Sequence, residues 1–174
     1  LNILGARAVT RKDGIAIDVF YVEGEKGGIV NDSKTRELCE SSIHDFLENE
    51  TSPDQLIREK RKKTDNNRLF SNEDRFGERI PPSVDVYNDV SLDRIIVEVR
   101  AADQVGLLHL IAKTISRCGF SIQFARVATE QRIATDVFNI EKSTDGKKFS
   151  PSQFLQLREE LSESLNAGRY YLEV

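Results

Sequence analysis

The amino-acid sequence predicts an α+β fold, an antiparallel sheet with its helices gathered on one face, and three observations carry that prediction. The run Arg94–Arg100 has the alternating, β-branched pattern of a half-buried strand and passes almost at once into an apolar stripe of helical period. Two further strand-like segments, Ser121–Ala128 and Arg132–Ile140, follow at hairpin distance from each other. A capped amphipathic helix then begins at Ser150.

Each element has a local cause. In Arg-Ile-Ile-Val-Glu-Val-Arg, the side chains of Ile95, Val97 and Val99 share one face. From Leu107 the period changes, and Leu108, Ile111, Ala112, Ile115 and Cys118 form an apolar stripe about one helical face wide. Gly119 stands where a helix end needs a residue tolerant of positive φ. The later hairpin strand follows Gln131, where Arg132–Ile140 keeps Ile133, Val137 and Ile140 apolar after turn-forming polar residues. Ser150 is the expected cap of the next helix, with Pro151 at its first position, Gln153 completing a capping box, and Phe154, Leu157, Leu161 and Leu165 as its stripe. After Gly168, Arg169–Val174 is placed as a last strand. The resulting order, βαββαβ, is that of a ferredoxin-like plait.

The turn Asp103-Gln104-Val105-Gly106-Leu107-Leu108, the segment Ser121-Ile122-Gln123-Phe124-Ala125-Arg126-Val127-Ala128-Thr129 and the tripeptide Asp136-Val137-Phe138 resemble the ACT domain. That family is a small-molecule-sensing module attached to many proteins of amino-acid metabolism. The likeness extends to the paired ACT domains at the C-terminal end of the bifunctional uridylyltransferase/uridylyl-removing enzymes, which modify the PII signalling protein. Their turn reads Asp-Arg-Pro-Gly-Leu-Leu, whereas Gln104 and Val105 stand here in place of Arg and Pro.

An internal repeat supports two copies of the unit. Asn2–Thr10 followed by Ile15–Val22 repeats Ile122–Ile140: Ala6-Arg7 matches Ala125-Arg126, Thr10 matches Thr129, and Asp18-Val19-Phe20 matches Asp136-Val137-Phe138. The first copy starts at its second strand and lacks the opening strand and helix. Because the opening strand of such a sheet is central, the natural protein is expected to extend upstream, or a swapped element of a second chain to fill the gap. The first ACT-like domain is expected over 1–89 and the second over 90–174. Within the first, Asp32 caps a helix whose buried stripe is expected to be Cys39, Ile43, Phe46 and Leu47, and Pro53 opens a short helix carrying Leu56 and Ile57. A long charged connection is placed over about 58–82, and Ser83–Tyr87 is read as the strand that closes the first copy.

Composition narrows the function classes. With 39% hydrophobic and 31% charged residues, the 174-residue chain has the make-up of a soluble globular protein. A net charge of −4 excludes a surface built throughout to bind nucleic acid or anionic membrane. The basic run Arg58–Lys63 either touches phosphate or is a solvated helix end. Cys39 and Cys118, on predicted apolar helix faces, match no metal or redox spacing and read as buried free thiols in a reducing, cytoplasmic setting. No apolar run approaches the roughly 20 residues of a membrane span. No metal or cofactor is expected.

The turn has a physical reason to hold a small zwitterion. A strand end feeding a helix start leaves backbone N–H groups without internal partners, and the helix dipole favours a carboxylate there. Gly106 lets a ligand approach the backbone, and Asp103 either caps the helix or accepts a bond from a ligand amine or amide. The family resemblance implies a site shared between two units, the turn of one facing the start of the second strand of the other. Its candidates are Asp103, Gln104, Val105, Gly106, Leu107 and Leu108 from the turn, Ser121 and Ile122 from the strand, and Asn2 and Ile3 as their counterparts in the first copy. The implied ligand is an amino acid, glutamine for the uridylyltransferase, and the implied partners are attached catalytic domains or a PII-type signalling protein. A homodimer is a further expectation.

Catalytic signals are missing from the chain. The two histidines, His44 and His109, lack a companion at ligand spacing, and no serine has a nucleophile-elbow context. The leading reading is therefore a regulatory region of a nucleotidyltransferase/hydrolase. The alternatives are a free-standing ACT-repeat sensor or assembly module, and a nucleic-acid-binding plait. The last would need exposed aromatics where the sequence has Glu98, Arg100, Arg126 and Asn139.

Overall fold

The structure is a computed structural model and describes residues 1–11, 13–24, 27–49, 52–68, 80–89, 94–142 and 150–170. Six strands and four helices run in the order β1 (Asn2–Thr10), β2 (Ala16–Glu23), α1 (Ser33–Asn49), α2 (Pro53–Arg68), β3 (Ser83–Asp89), β4 (Arg94–Ala102), α3 (Leu107–Arg117), β5 (Phe120–Glu130), β6 (Ile133–Lys142) and α4 (Pro151–Tyr170). The chain divides into two compact units, Leu4–Phe20 with Asp74–Val174, and Leu1–Ile3 with Tyr21–Glu73. The expected domain boundary at 89/90 falls inside the first of these.

The fold class is α+β as expected, with one six-stranded antiparallel sheet in the order β2-β1-β5-β6-β4-β3. Strand register explains the core. Residues directly opposite one another in an antiparallel sheet point to the same face. Val84, Val99, Asp136, Val127 and Ala6 line up across five strands, and each is less than 9% exposed. The neighbouring row is Val86, Val97, Phe138, Ala125 and Ala8. Over this face lie α3, packed on β5, and α4, packed on β3 and α3. Ile111, Ile115, Leu157 and Leu161 are fully buried there, each contributing about 2 kcal/mol by leaving water. The helical stripes read from the sequence are thus the packing faces, and Leu107 and Thr114 join the buried side of α3.

The capping chemistry also holds. Asp32 accepts the backbone N–H groups of Lys34 (3.2 Å) and Thr35 (3.1 Å) at the start of α1. The Thr35 hydroxyl bond, with these backbone bonds, holds its carboxyl below the usual carboxylate range. Gln153 reaches back to the Ser150 backbone N–H at 3.1 Å, and Gly119 takes φ 83° at the end of α3.

Register shows a relation between the two copies. Arg7 lies opposite Arg126, with Ala6 opposite Val127 and Ala8 opposite Ala125. Since Ala6-Arg7 is the repeat counterpart of Ala125-Arg126, β1 pairs with its own equivalent, and this stretch of pairing is symmetric about the Arg7–Arg126 pair.

Several expectations are corrected. Of the apolar positions noted on β6 only Ile140 is buried, alongside Ala134, Asp136 and Phe138. Period two places 133 and 137 on the opposite face from 140. The stripe of α1 is not buried: Ile43, Phe46 and Leu47 are 55%, 38% and 72% exposed, and Cys39 is half-buried. Helical period marks which residues share a face, not whether anything covers it, and α1 lies outside the unit that contains most of the sheet. The expected connection beginning near residue 58 is helical through Arg68, so Arg58–Lys63 lies on α2; 69–79 lie outside the described residues. The strand expected over Arg169–Val174 starts as helix, since α4 runs through Tyr170, and 171–174 are outside the described residues. Finally β3, read as closing the first copy, pairs with β4 along Ser83–Asp89. Only 90–93 separate the two strands, which favours an antiparallel neighbour. β3 thereby stands beside β4, the opening strand of the second copy, where a plait's last strand lies.

Candidate functional site

The strand β4 and the helix α3 are joined by Asp103–Gly106, and the turn between them is fixed by backbone bonds. The Leu107 N–H donates to the Gln104 carbonyl (3.1 Å), the Leu110 N–H to the Gly106 carbonyl (2.9 Å), and the Asp103 N–H to the Arg132 carbonyl at the tip of the β5–β6 hairpin (2.8 Å). Gly106, rather than Asp103, occupies the N-cap position of the helix, at φ 81° and ψ 12°. A left-handed backbone costs most residues about 1–2 kcal/mol, so glycine is the residue this turn requires. Asp103 is exposed, Gln104, Val105 and Gly106 are half-buried, Leu107 is buried, and Leu108 packs against the core. Leucines anchor the helix start while the backbone before them is accessible and carries the positive end of the helix dipole.

The hairpin tip beside this turn is strained. Gln131 and Arg132 adopt φ 50° and 63°, consecutive left-handed residues of the kind a two-residue type I′ turn needs and Asn-Gly ordinarily supplies.

Of the other candidates, Ser121 and Ile122 lie at the opposite end of the sheet from the turn of their own copy. Ser121 is opposite Glu141 and Ile122 opposite Ile140, whereas the turn follows the Ala102–Ile133 pair. Ile122 is half-buried, its carbonyl accepts the Thr10 hydroxyl at 3.3 Å, and a register irregularity follows it. The antiparallel pairing of β1 with β5 puts Thr10 at the Ser121 end and Gly5, opposite Ala128, toward the turn's end. Asn2 and Ile3 belong to the other compact unit, where the Asn2 side-chain amide donates to the Gly24 carbonyl at 3.5 Å.

The residue that sequence reasoning missed is Asp136. It is 1% exposed and sits in the apolar row between Val99 and Val127. Its Oδ1 has no hydrogen-bond partner. Burial pushes its carboxyl up to about 7, partly offset by a bond from the Ala128 backbone N–H and reinforced by the negative charge of Asp103. The sequence did hold a signal: an aspartate in step with Ala134, Phe138 and Ile140, repeated as Asp18 in the first copy.

Among the described residues no group of three His, Cys, Asp or Glu side chains could hold a metal ion, and no helix is long and apolar enough to cross a membrane. His44 pairs with Glu48 at 3.3 Å on the exposed side of α1. Glu98, Arg100 and Arg126 are exposed on the sheet face opposite α3 and α4, charged where a nucleic-acid-binding plait carries stacking aromatics.

An antiparallel sheet covered on one side by α3 and α4, with a glycine-capped strand–turn–helix at one end, defines a ferredoxin-like α+β protein. No known family model matches the chain, and no solved structure matches it. Its relatives are bifunctional uridylyltransferase/uridylyl-removing enzymes. It is 33% identical over 164 residues to the enzyme of Caulobacter vibrioides (strain NA1000 / CB15N), covering 94% of this chain and 17% of the relative. To that of Phenylobacterium zucineum (strain HLK1) it is 32% identical over 152 residues, 87% of this chain and 15% of the relative. To that of Azospirillum brasilense it is 28% identical over 167 residues, 94% and 17%. The chain thus spans about 17% of the length of the curated relatives it matches.

Proposed function

We propose that the chain is an amino-acid-sensing, tandem ACT region, with glutamine as its ligand, that controls an attached uridylyltransferase/uridylyl-removing enzyme of nitrogen regulation. The observation that carries this reading is the β4–α3 turn, with Gly106 at φ 81° opening a helix start, in a chain whose relatives are bifunctional uridylyltransferase/uridylyl-removing enzymes. The start of α3 takes the ligand's carboxylate, and the exposed Asp103 takes its ammonium. Asp103–Leu108 form one wall of the site. The second-strand start of another copy, the position that Ser121 and Ile122 hold in this one, supplies the facing wall. A ligand held by two copies favours the arrangement in which those copies are packed together. A coupling of about 1–3 kcal/mol then passes occupancy to the catalytic domains, whose target is a PII-type signalling protein in the cytoplasm.

Calorimetric titration with glutamine beside glutamate and other amino acids tests the proposal. Selective glutamine binding, weakened about tenfold or more in Asp103→Ala by loss of a charge-assisted bond, supports it. Failure of a folded protein to bind any amino acid refutes it.

A further inference from the structure

The buried face of the sheet is apolar at every strand except at one point. Among the described buried residues only Thr114 and Asp136 are polar. Thr114 is satisfied: its hydroxyl bonds the Leu110 carbonyl at 2.9 Å and meets Ser164 Oγ at 3.3 Å. Asp136 is not, since one carboxylate oxygen takes the Ala128 N–H and Oδ1 takes nothing. A buried carboxylate oxygen without a partner costs a few kcal/mol, and nothing in the packing of the sheet requires that cost. Ala134 and Phe138, which flank Asp136 on its face, belong to the same core cluster as Leu107, the first residue of α3. The strands run on from the Val99–Asp136 pair only to Ala102 and Ile133 before the turn begins. Asp136 therefore lies at the end of the core that the helix start closes, near enough to Asp103 for the two charges to repel.

We propose that Asp136 is a ligand-linked proton site beneath the β4–α3 turn: an ammonium bound at Asp103 draws the Asp136 carboxyl into its ionised form, and ligand capture releases that proton to solvent. This rests on the amino-acid site of the preceding subsection and adds a residue and a coupling to it. The proton balance is simple. The empty site holds Asp136 as the neutral acid for much of its population near neutral pH, the ligand's positive charge offsets the Asp103–Asp136 repulsion, and the O–H proton leaves. The groups around Asp136 leave little else to take this role. The cross-strand neighbours are Val99 on β4 and Val127 on β5, and the residues that α3 and α4 bury over this face are apolar but for Thr114, which does not titrate. His109 and Lys113 lie on α3 outside its buried set. In the other copy the equivalent Asp18 is exposed, so the coupling belongs to the second copy.

The test is glutamine titration of the protein near pH 6, 7 and 8, repeated in buffers of different ionisation enthalpy so that proton release is read directly. With the carboxyl titrating near neutrality and the ligand offsetting only the Asp103 repulsion, affinity is expected to rise about threefold from pH 6 to pH 8, with about a third of a proton released at pH 7. Asp136→Asn is expected to bind without that pH dependence and without proton release, and Asp136→Glu to retain a share of both. Binding that is pH-independent with no proton released by the unaltered protein overturns this inference and leaves the sensing reading intact. Absence of amino-acid binding at every pH overturns both.

Discussion

Replacing Asp136 by asparagine separates the charge of this side chain from its shape. Asparagine keeps the size and polarity of the neutral acid but cannot ionise. The folded protein holds the Asp136 proton up to about pH 7, against an ordinary value of 3.8. Between those values the folded state carries a proton that the unfolded chain has lost, so stability falls as pH rises across the interval and levels off above it. About three pH units at roughly 1.4 kcal/mol each give a total near 4 kcal/mol. Between about pH 5 and pH 8 the part that remains to be lost is roughly 2.5 kcal/mol. Urea denaturation of both proteins at those two pH values measures it. The stability of Asp136→Asn relative to the parent is expected to climb by that amount from the lower to the higher pH, whatever constant offset the amide introduces. A difference between the two proteins that stays the same at both pH values would show that Asp136 is not held neutral by burial, and the reasoning would fail with it.

Other substitutions address separate parts of the structure. Gly106→Ala forces a Cβ onto a backbone at φ 81° and is expected to cost about 1–2 kcal/mol in thermal unfolding. Replacing Gln131-Arg132 by Asn-Gly relieves two left-handed residues and is expected to stabilise the fold by about 1 kcal/mol; a loss of stability would contradict the type I′ assignment. Leu157→Ala opens a cavity at a fully buried site and is expected to cost about 3 kcal/mol, whereas Leu38→Ala on α1, where the side chain is 67% exposed, changes stability by less than about 0.5 kcal/mol. Removing the exposed Arg117–Glu160 pair, 2.7 Å long between α3 and α4, is expected to cost no more than about 1 kcal/mol, less in high salt.

Legibility followed the physics of each element. The stripes of α3 and α4 were readable because three or four apolar side chains per two turns leave a pattern that few alternatives share. Caps such as Asp32, and the Gln153 bond to the Ser150 N–H, were readable because one side chain and a neighbouring backbone N–H suffice to make them. What the local pattern does not contain was lost. On β6, an aspartate in the buried register broke the alternation, so the apolar positions Ile133, Val137 and Ile140 did not fix which face turns inward. On α1, an amphipathic sequence implied a covered face that the structure leaves exposed. The partner of β3 depends on which strand it meets, information absent from Ser83–Asp89 itself. At the site, Gly106 announced the left-handed turn, but the distance between the turn and Ser121 is set by strand length and register. The burial of Asp136 was not legible, because a lone acid inside an apolar strand is rarer than one facing solvent.

The end position of β2 in the sheet bears on how this protein behaves in concentrated solution. Ile17, Val19, Phe20 and Tyr21 are each about half exposed, and a run of such residues along an outer strand is a template onto which another chain can stack, the first step toward fibrils. Asp18 interrupts the run Ala16–Val22 with a charge that any incoming strand would have to desolvate or oppose. The same residue type that burdens the core of the second copy acts in the first as a gatekeeper, and Asp18→Val is expected to lower solubility, as scored by light scattering, while leaving the folded core untouched.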